Sequence, residues 1–337
     1  MKSDEEMMVF ARDALGLSKS VVLKFSPLEG RGSDRAFFRL KWSRKKSAIL
    51  VRYDPKRIEN GYYAEIAVFL RDHDIPVPRL IGHDPTRHLI IMEDLGNTDL
   101  WSLRKAPWKT RQALYQEALI IVQRLHSIPE KDFPGGRVRL MEGFGPALYR
   151  WERDYFRDHF VGDFCGIKLE PPFSRKLEAE LSKLANRLSK TKRCLVHRDL
   201  QSQNVMIRDG KPFLIDFQGM RLGSPLYDLG SLLCDPYADL SETGRVELLS
   251  FYYGLAPWGF DWATFQTVFW EASTQRLMQA LGAYGFLGIS QGLRAYLEHI
   301  PSGLRMLHQA VQHVATLPRL HDLSQACQSV IEQKKGG

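Results

Sequence analysis

The chain has 337 residues, 44% hydrophobic and 26% charged, and 47 Lys and Arg against 39 Asp and Glu give it a net charge of +8. That balance excludes a largely disordered chain, and at about 100–200 residues per domain the length suits two domains or one large two-lobed unit. Four scattered cysteines (Cys165, Cys194, Cys234 and Cys327) form no CxxC pair, which argues against a disulfide framework or zinc ribbon and fits a reducing compartment. Apolar runs such as residues 118–122 fall far short of the about 20 residues that cross a bilayer. No signal-peptide core follows the acidic N-terminus, so a cytoplasmic protein is expected.

The first hundred residues read as mixed α and β. A helix is expected over 4–17, then strands over 21–25, 36–42 and 47–53, with Gly, Ser, Asp and Lys in the breaks. Residues 59–73 read as a helix, because Tyr62, Ile66, Phe69 and Leu70 fall on one stripe. Ile75-Pro76-Val77-Pro78 forces an extended path. Strands at 79–82 and 88–92 then lead into Glu93-Asp94-Leu95-Gly96. Beyond it helices dominate, at 110–126, 141–160, 174–188, 243–253, 262–283, 292–299 and 320–333. One strand-rich island, 194–196, 205–208 and 213–215, interrupts them. The expected fold class is α+β and bilobal, with a small β-rich lobe over 1–96, a hinge near 93–96, and a larger helical lobe over 97–337.

The island carries the chemistry. His197-Arg198-Asp199-Leu200-Gln201-Ser202-Gln203-Asn204 matches the H-R-D-L-x-x-x-N catalytic loop of kinases. Twelve residues on, Asp216 heads Asp216-Phe217-Gln218 at the end of an apolar run, where protein kinases have D-F-G. An isolated HxD is most often a turn with a capping aspartate, but four fixed residues and a strand-terminal acid between short strands are far more specific. Phosphoryl transfer needs a positioned nucleophile and neutralised phosphate charge. Asp199 can orient the attacking hydroxyl as the catalytic residue, and Asn204 and Asp216 offer hard oxygen ligands for Mg²⁺.

On these residues the chain resembles the aminoglycoside phosphotransferase and choline kinase superfamily, which shares the protein-kinase-like fold, over roughly residues 30–306. The short run from Asp216 to Tyr227-Asp228-Leu229-Gly230-Ser231-Leu232-Leu233, without a long activation segment or A-P-E, is closer to the small-molecule branch than to protein kinases. Together with Gln275-Arg276-Leu277-Met278-Gln279-Ala280-Leu281-Gly282 and Asp235, it looks like the anomeric kinases for N-acetylmuramate and N-acetylglucosamine of cell-wall recycling. The resemblance implies a kinase using ATP (or GTP) with Mg²⁺ on a small-molecule hydroxyl, most naturally the anomeric hydroxyl of an amino sugar.

It also implies the remaining parts. Gly30, Gly32, Ser33 and Arg35 (with Arg31) look like the phosphate-covering loop, although a plain hairpin turn reads equally well. Glu65 matches the helix acid that usually pairs with a strand lysine. Here the strand ends in Arg52, which can fork onto phosphate or Glu65. Met92, Glu93 and Leu95 fall at the adenine-binding connector. Asp228 is expected to accept backbone hydrogen bonds behind the catalytic loop, as a buttress or a simple helix cap, and His126 reads as a capping or packing residue. For the acceptor, Gln218, Asp235 and Arg276 join Asp199, an arginine suiting a lactyl carboxylate; for Asp235 and Arg276 a surface salt bridge reads equally well.

Three alternatives stand beside this reading. An aminoglycoside or homoserine-type phosphotransferase is one, against which +8 weighs for a polycationic acceptor. Choline is another, for which Trp258, Trp262 and Trp270 would form an aromatic box. A regulatory pseudokinase is the third, disfavoured by the intact Asp199, Asn204 and Asp216. No nucleic-acid partner is expected: the basic stretch 41–46 reads as a solvated turn. A monomer is expected, with no membrane partner.

Overall fold

The computed structural model describes residues 2–28, 35–128, 130, 133, 136–238 and 240–336. After α1 (Lys2–Leu15) come β1 (Lys24–Leu28), β2 (Ala36–Lys41) and β3 (Ser47–Arg52). A 3₁₀ turn (Ile58–Tyr62) opens α2 (Tyr63–Asp72), and β4 (Leu80–Asp84) and β5 (Leu89–Glu93) complete a sheet of order β1-β2-β3-β5-β4. Every neighbouring pair is antiparallel.

Side-chain alternation gives the sheet two apolar faces. Ala48 and Leu50 of β3 meet Leu89 and Ile91 of β5 under Met7, Phe10 and Ala11 of α1. Ile49 and Val51 turn the other way and pack with Ile66, Phe69 and Leu70 of α2 in the large core that continues into the helical part. Two boundaries depart from expectation. β1 begins at Lys24 rather than residue 21, because its register is set by pairing Lys24 with Lys41. The helix expected from 59 has a 3₁₀ first turn, where Asn60 turns its side chain onto the Asp54 carbonyl.

The rest is mostly helical: α3 (Trp108–His126), α4 (Pro146–Tyr155) with a π-helical continuation (Phe156–Phe164), and α5 (Pro171–Ser189). Then come β6 (Cys194–Val196), β7 (Val205–Arg208), β8 (Lys211–Leu214) and β9 (Arg221–Gly223), followed by α6 (Pro225–Leu233), α7 (Glu242–Tyr253) and α8 (Trp262–Gly285). A 3₁₀ segment (Arg294–His299), α9 (Ile300–Gln312) and α10 (Pro318–Gly336) follow. The helix expected over 141–160 starts only at Pro146. Residues 141–144 instead run beside β9, where Met141 N–H bonds Met220 O and Phe144 N–H bonds Leu222 O. β9 and α9 were not foreseen, and of the helix expected over 292–299 only Arg294–His299 is helical, as a 3₁₀ segment.

β6 pairs with β9, and β7 with β8. These two ribbons hold the motif loops between them, while the chain after β5 is tied to β7 by Leu100 N–H on Val205 O and Ile207 N–H on Thr98 O. Behind them α6 lies against α8 at a separation that only glycine allows: a Cβ on Gly230 would stand 2.9 Å from the Ser273 Cα. Among the described residues no helix is long and apolar enough to cross a membrane.

Candidate active site

The loop after β6 is fixed from behind by buried carboxylates. Asp228, in α6 and fully buried, accepts His197 N–H at 2.6 Å and Arg198 N–H at 2.8 Å. Those bonds help hold Arg198 at φ 77°, a conformation that costs a non-glycine residue energy. His126 Nε2 stands 3.1 Å from the same carboxylate, and its Nδ1 lies 2.6 Å from the Tyr252 hydroxyl. Both readings of Asp228 were structural, and it is the buttress, since the helix it was expected to open begins at Pro225. His197 is itself buried, with Nε2 2.9 Å from Ile215 O, so it joins the loop to the strand before Asp216.

Asp235, expected among the acceptor residues, also holds backbone. It is 2% exposed, and both its oxygens take backbone N–H groups, Ser202 at 2.7 Å and Tyr237 at 3.0 Å. It lies behind the loop as a second buttress. Burial pushes its carboxyl above the usual aspartate range, against the pull of those bonds.

In front stand the side chains of the motif. Asn204 Nδ2 donates to the Asp199 carbonyl at 2.9 Å, and Asp199 Oδ1 accepts Arg276 Nη2 at 2.9 Å. Asp199 Oδ2 and Asn204 Oδ1 have no partner among the described residues. Asp216 sits at φ 65° at the end of β8. Its Oδ1 accepts from Arg35 and, at 2.8 Å, from Gln218 Nε2. Its Oδ2 likewise has no partner among the described residues. Burial alone would push the Asp216 carboxyl up, but the Arg35 guanidinium and the Gln218 amide outweigh it and hold it below the usual range. An amide oxygen and an ionised carboxylate oxygen, both open, suit a hard cation that takes its other ligands from phosphate and water. Among the described residues no cluster of three His, Cys, Asp or Glu could hold a metal unaided.

Gln218, expected at the acceptor, donates to Asp216, and its Oε1 is buried with no hydrogen-bond partner among the described residues. Phe217 is fully buried and stacks on Tyr63 of α2 at 4.7 Å. The Tyr63 hydroxyl donates to Met92 Sδ at 2.9 Å, so α2, the strand-end methionine and the Asp216 turn form one contact chain.

On the nucleotide side, Gly30, Gly32, Ser33 and Arg31 lie outside the described residues. Arg35 is at the entrance to β2 and reaches Asp216. Glu65 does have an arginine partner, but it is Arg139: Nη2 meets Oε1 at 2.6 Å, and Nε and the backbone N–H both reach Oε2 at 3.2 Å. The hydrogen bond with Arg139 is the chief reason that the Glu65 carboxyl titrates below the usual glutamate range. Arg52 is the exposed last residue of β3. Glu93 is still strand: its N–H is taken by Arg79 O at 2.9 Å and its carboxylate by Arg208 at 2.6 Å. Its N–H is therefore not open to adenine, and the connector proper starts at Asp94. There Arg39 holds the Asp94 carboxylate at 2.8 Å and the Gly96 carbonyl at 3.0 Å. Leu95 is buried.

The tryptophans do not assemble a box. Trp258 packs on Tyr252 and Phe265, Trp262 on Tyr253 and Phe265, and Trp270 stacks on His313 at 4.4 Å. Sequence reasoning had no means of finding Arg139 or Arg39, whose partners are far away in the chain. The link from Arg276 to Asp199 spans 77 residues.

A five-stranded antiparallel sheet joined to a helical body, with an HRD-type loop and a strand-end aspartate between them, is the protein-kinase-like fold, here in a phosphotransferase acting on a hydroxyl. The chain belongs to the phosphotransferase enzyme family, whose model matches residues 24–266. It is similar to the N-acetylmuramate/N-acetylglucosamine kinase of Pseudomonas aeruginosa, 24% identical over 305 residues that cover 88% of this chain and 86% of that protein. The kinase of the same description from Neisseria meningitidis is 24% identical over 298 residues, covering 86% of each. Among solved structures, aminoglycoside phosphotransferase APH(2'')-Ib bound to ADP superposes with TM-score 0.61 at 15% identity, covering 90% of this chain and 99% of that one. A choline/ethanolamine kinase family protein from Mesorhizobium loti gives 0.62 at 13%, covering 98% and 100%.

Proposed function

We propose that this chain is a sugar kinase that transfers the γ-phosphoryl group of ATP, or of GTP, to the anomeric hydroxyl of an N-acetyl amino sugar of the N-acetylmuramate and N-acetylglucosamine type. The observation that carries the transfer step is Asp199, whose Oδ1 is tied to Arg276 while Oδ2 is open. The amino-sugar part is supported by the relatives, which match over 86–88% of this chain and 86% of their own length at 24% identity. The enzyme is read as cytoplasmic; its four cysteines are buried free thiols, as suits a reducing compartment.

In this reading Asp199 Oδ2 accepts a hydrogen bond from the acceptor O–H and turns the oxygen lone pair toward the phosphorus. Because the transition state of phosphoryl transfer is loose, orientation is worth more than strong basicity. Asn204 and Asp216 would hold Mg²⁺ through their open oxygens; the ion, when bound with the nucleotide, neutralises phosphate charge. Arg35, already at Asp216, adds a cation near the same phosphates. Arg52 and Glu65 are kept as nucleotide-side residues, with Arg139 fixing Glu65, and Met92 and Leu95 as the adenine side.

The experiment is a phosphate-transfer screen, with ATP and GTP, against N-acetylmuramate, N-acetylglucosamine, an aminoglycoside, choline and homoserine. Turnover of the amino sugars is expected; turnover of choline or an aminoglycoside alone would overturn the acceptor. Asp199→Ala should lower turnover about 1,000-fold and leave nucleotide binding intact by calorimetry. Equal activity in the variant would remove Asp199 from the reaction.

A further inference from the structure

We propose that Arg276 serves the reaction by holding Asp199 Oδ1 so that Oδ2 alone is presented to the acceptor, and that it does not bind a charged group of the acceptor. The proposal rests on the kinase reading above and adds to it a positioning residue and a statement about acceptor choice.

The backbone around Asp199 is fixed by Asp228 and Asn204, but those bonds leave its side chain free to turn. Arg276 supplies the missing constraint. Each guanidinium nitrogen has a fixed partner: Nε donates to Ser231 Oγ at 3.1 Å, Nη1 to Gln279 Oε1 at 2.8 Å and Nη2 to Asp199 Oδ1 at 2.9 Å. Three bonds on a planar group fix its plane as well as its position, which an ammonium could not do. The side chain is only 8% exposed. Burial would push its pKa down, but the charge of Asp199 outweighs that and raises it, so the group stays a cation.

Its partners also say what it is not. Gln279 lies one turn along α8 and Ser231 on α6, the helix whose Asp228 fixes the loop backbone. One helix pair thus sets both the backbone and the carboxylate of Asp199. An acceptor carboxylate, such as the lactyl group of N-acetylmuramate, would meet a cation whose charge is already matched by Asp199 and whose side chain is only 8% exposed, with just one N–H left on each Nη, so it gains little there.

The test compares Arg276→Met and Arg276→Lys with the wild type on N-acetylglucosamine, which lacks the lactyl carboxylate, and on N-acetylmuramate, which has it. Folding is checked by circular dichroism and nucleotide affinity by calorimetry. The methionine variant should lose about 100-fold in kcat by the same factor on both sugars, with KM changed by less than about threefold. The lysine variant should recover part of the loss. A KM increase confined to N-acetylmuramate with kcat kept, or an unchanged kcat on both, overturns the proposal. If the wild type phosphorylates neither sugar, the proposed acceptor fails, yet Arg276 is still judged on acceptor-free ATP hydrolysis, where Asp199 orients water. A comparable fall in Arg276→Met supports it and an unchanged rate overturns it. Should Arg276→Met not fold, Ser231→Ala and Gln279→Ala replace it. Each removes one brace and should lower kcat about fivefold without raising KM; no change in either overturns the proposal.

Discussion

The two sides of the site are held by different physics. Behind the catalytic loop, Asp228 and Asp235 are 0% and 2% exposed and give their oxygens to backbone N–H groups. On the nucleotide side two acids are paired with arginines in contact with solvent, the Glu65 and Arg139 side chains being 32% and 59% exposed and those of Glu93 and Arg208 26% and 40%, while Asp94 and Arg39 form a more buried pair. Removing a buried acceptor leaves dehydrated donors with nothing to bond, whereas water takes over from an exposed partner. The loop that carries Asp199 is therefore rigid by construction, and the nucleotide side has room to adjust to the molecule it grips.

The largest test of this contrast is Asp228→Ala. It strips two backbone N–H groups and His126 of their partner at once, so thermal or urea unfolding should show a loss of about 3 kcal/mol. A loss below about 1 kcal/mol would mean that the buried side is no stiffer than the exposed one. Next comes the pH response of Asp235→Asn. The folded-state pKa of Asp235 is raised by burial, so the charged form is disfavoured in the native state. The stability of the wild type relative to the variant should fall as pH rises from the ordinary aspartate value through the folded one. The smallest effect is that of Glu65→Gln, under about 1 kcal/mol near neutrality, with the opposite slope. Its folded pKa is depressed, so the pair's contribution is present above the ordinary glutamate value and fades as pH falls through the lower one. Denaturant midpoints across about pH 2–7, which runs about two units below the ordinary carboxyl values and further above them, read both slopes, and slopes of the same sign would erase the contrast.

The motif half of the site was legible because its geometry is local. His197 to Asn204 and Asp216 lie on short strands joined by tight loops, so spacing in the chain is nearly spacing in space. Asp235 and Arg276 were found by pattern, but the sequence carried no sign of their partners, the Ser202 and Tyr237 N–H groups 33 and 2 residues away and the Asp199 carboxylate 77 residues away. Arg139 carried no signal: it meets Glu65 from 74 residues away, in a segment without periodicity. For the fold, α9 was not foreseen, and it contains Pro301 and Gly303, residue types that disfavour a helix interior. In the structure Pro301 stands in the first turn, where its missing N–H costs nothing, and Gly303 lies where a Cβ would stand 3.0 Å from Leu281. At β1, several registers satisfied the alternation, and the pairing with β2 decided between them.

The close approach at Gly230 has a further consequence. Since α6 carries Asp228 and α8 carries Arg276, the distance between the two helices acts as the tolerance of the catalytic acid, and a single missing methyl sets it. A change in that separation would reach the loop from two directions at once, through the Asp228 bonds to its backbone and through the Arg276 bond to Asp199.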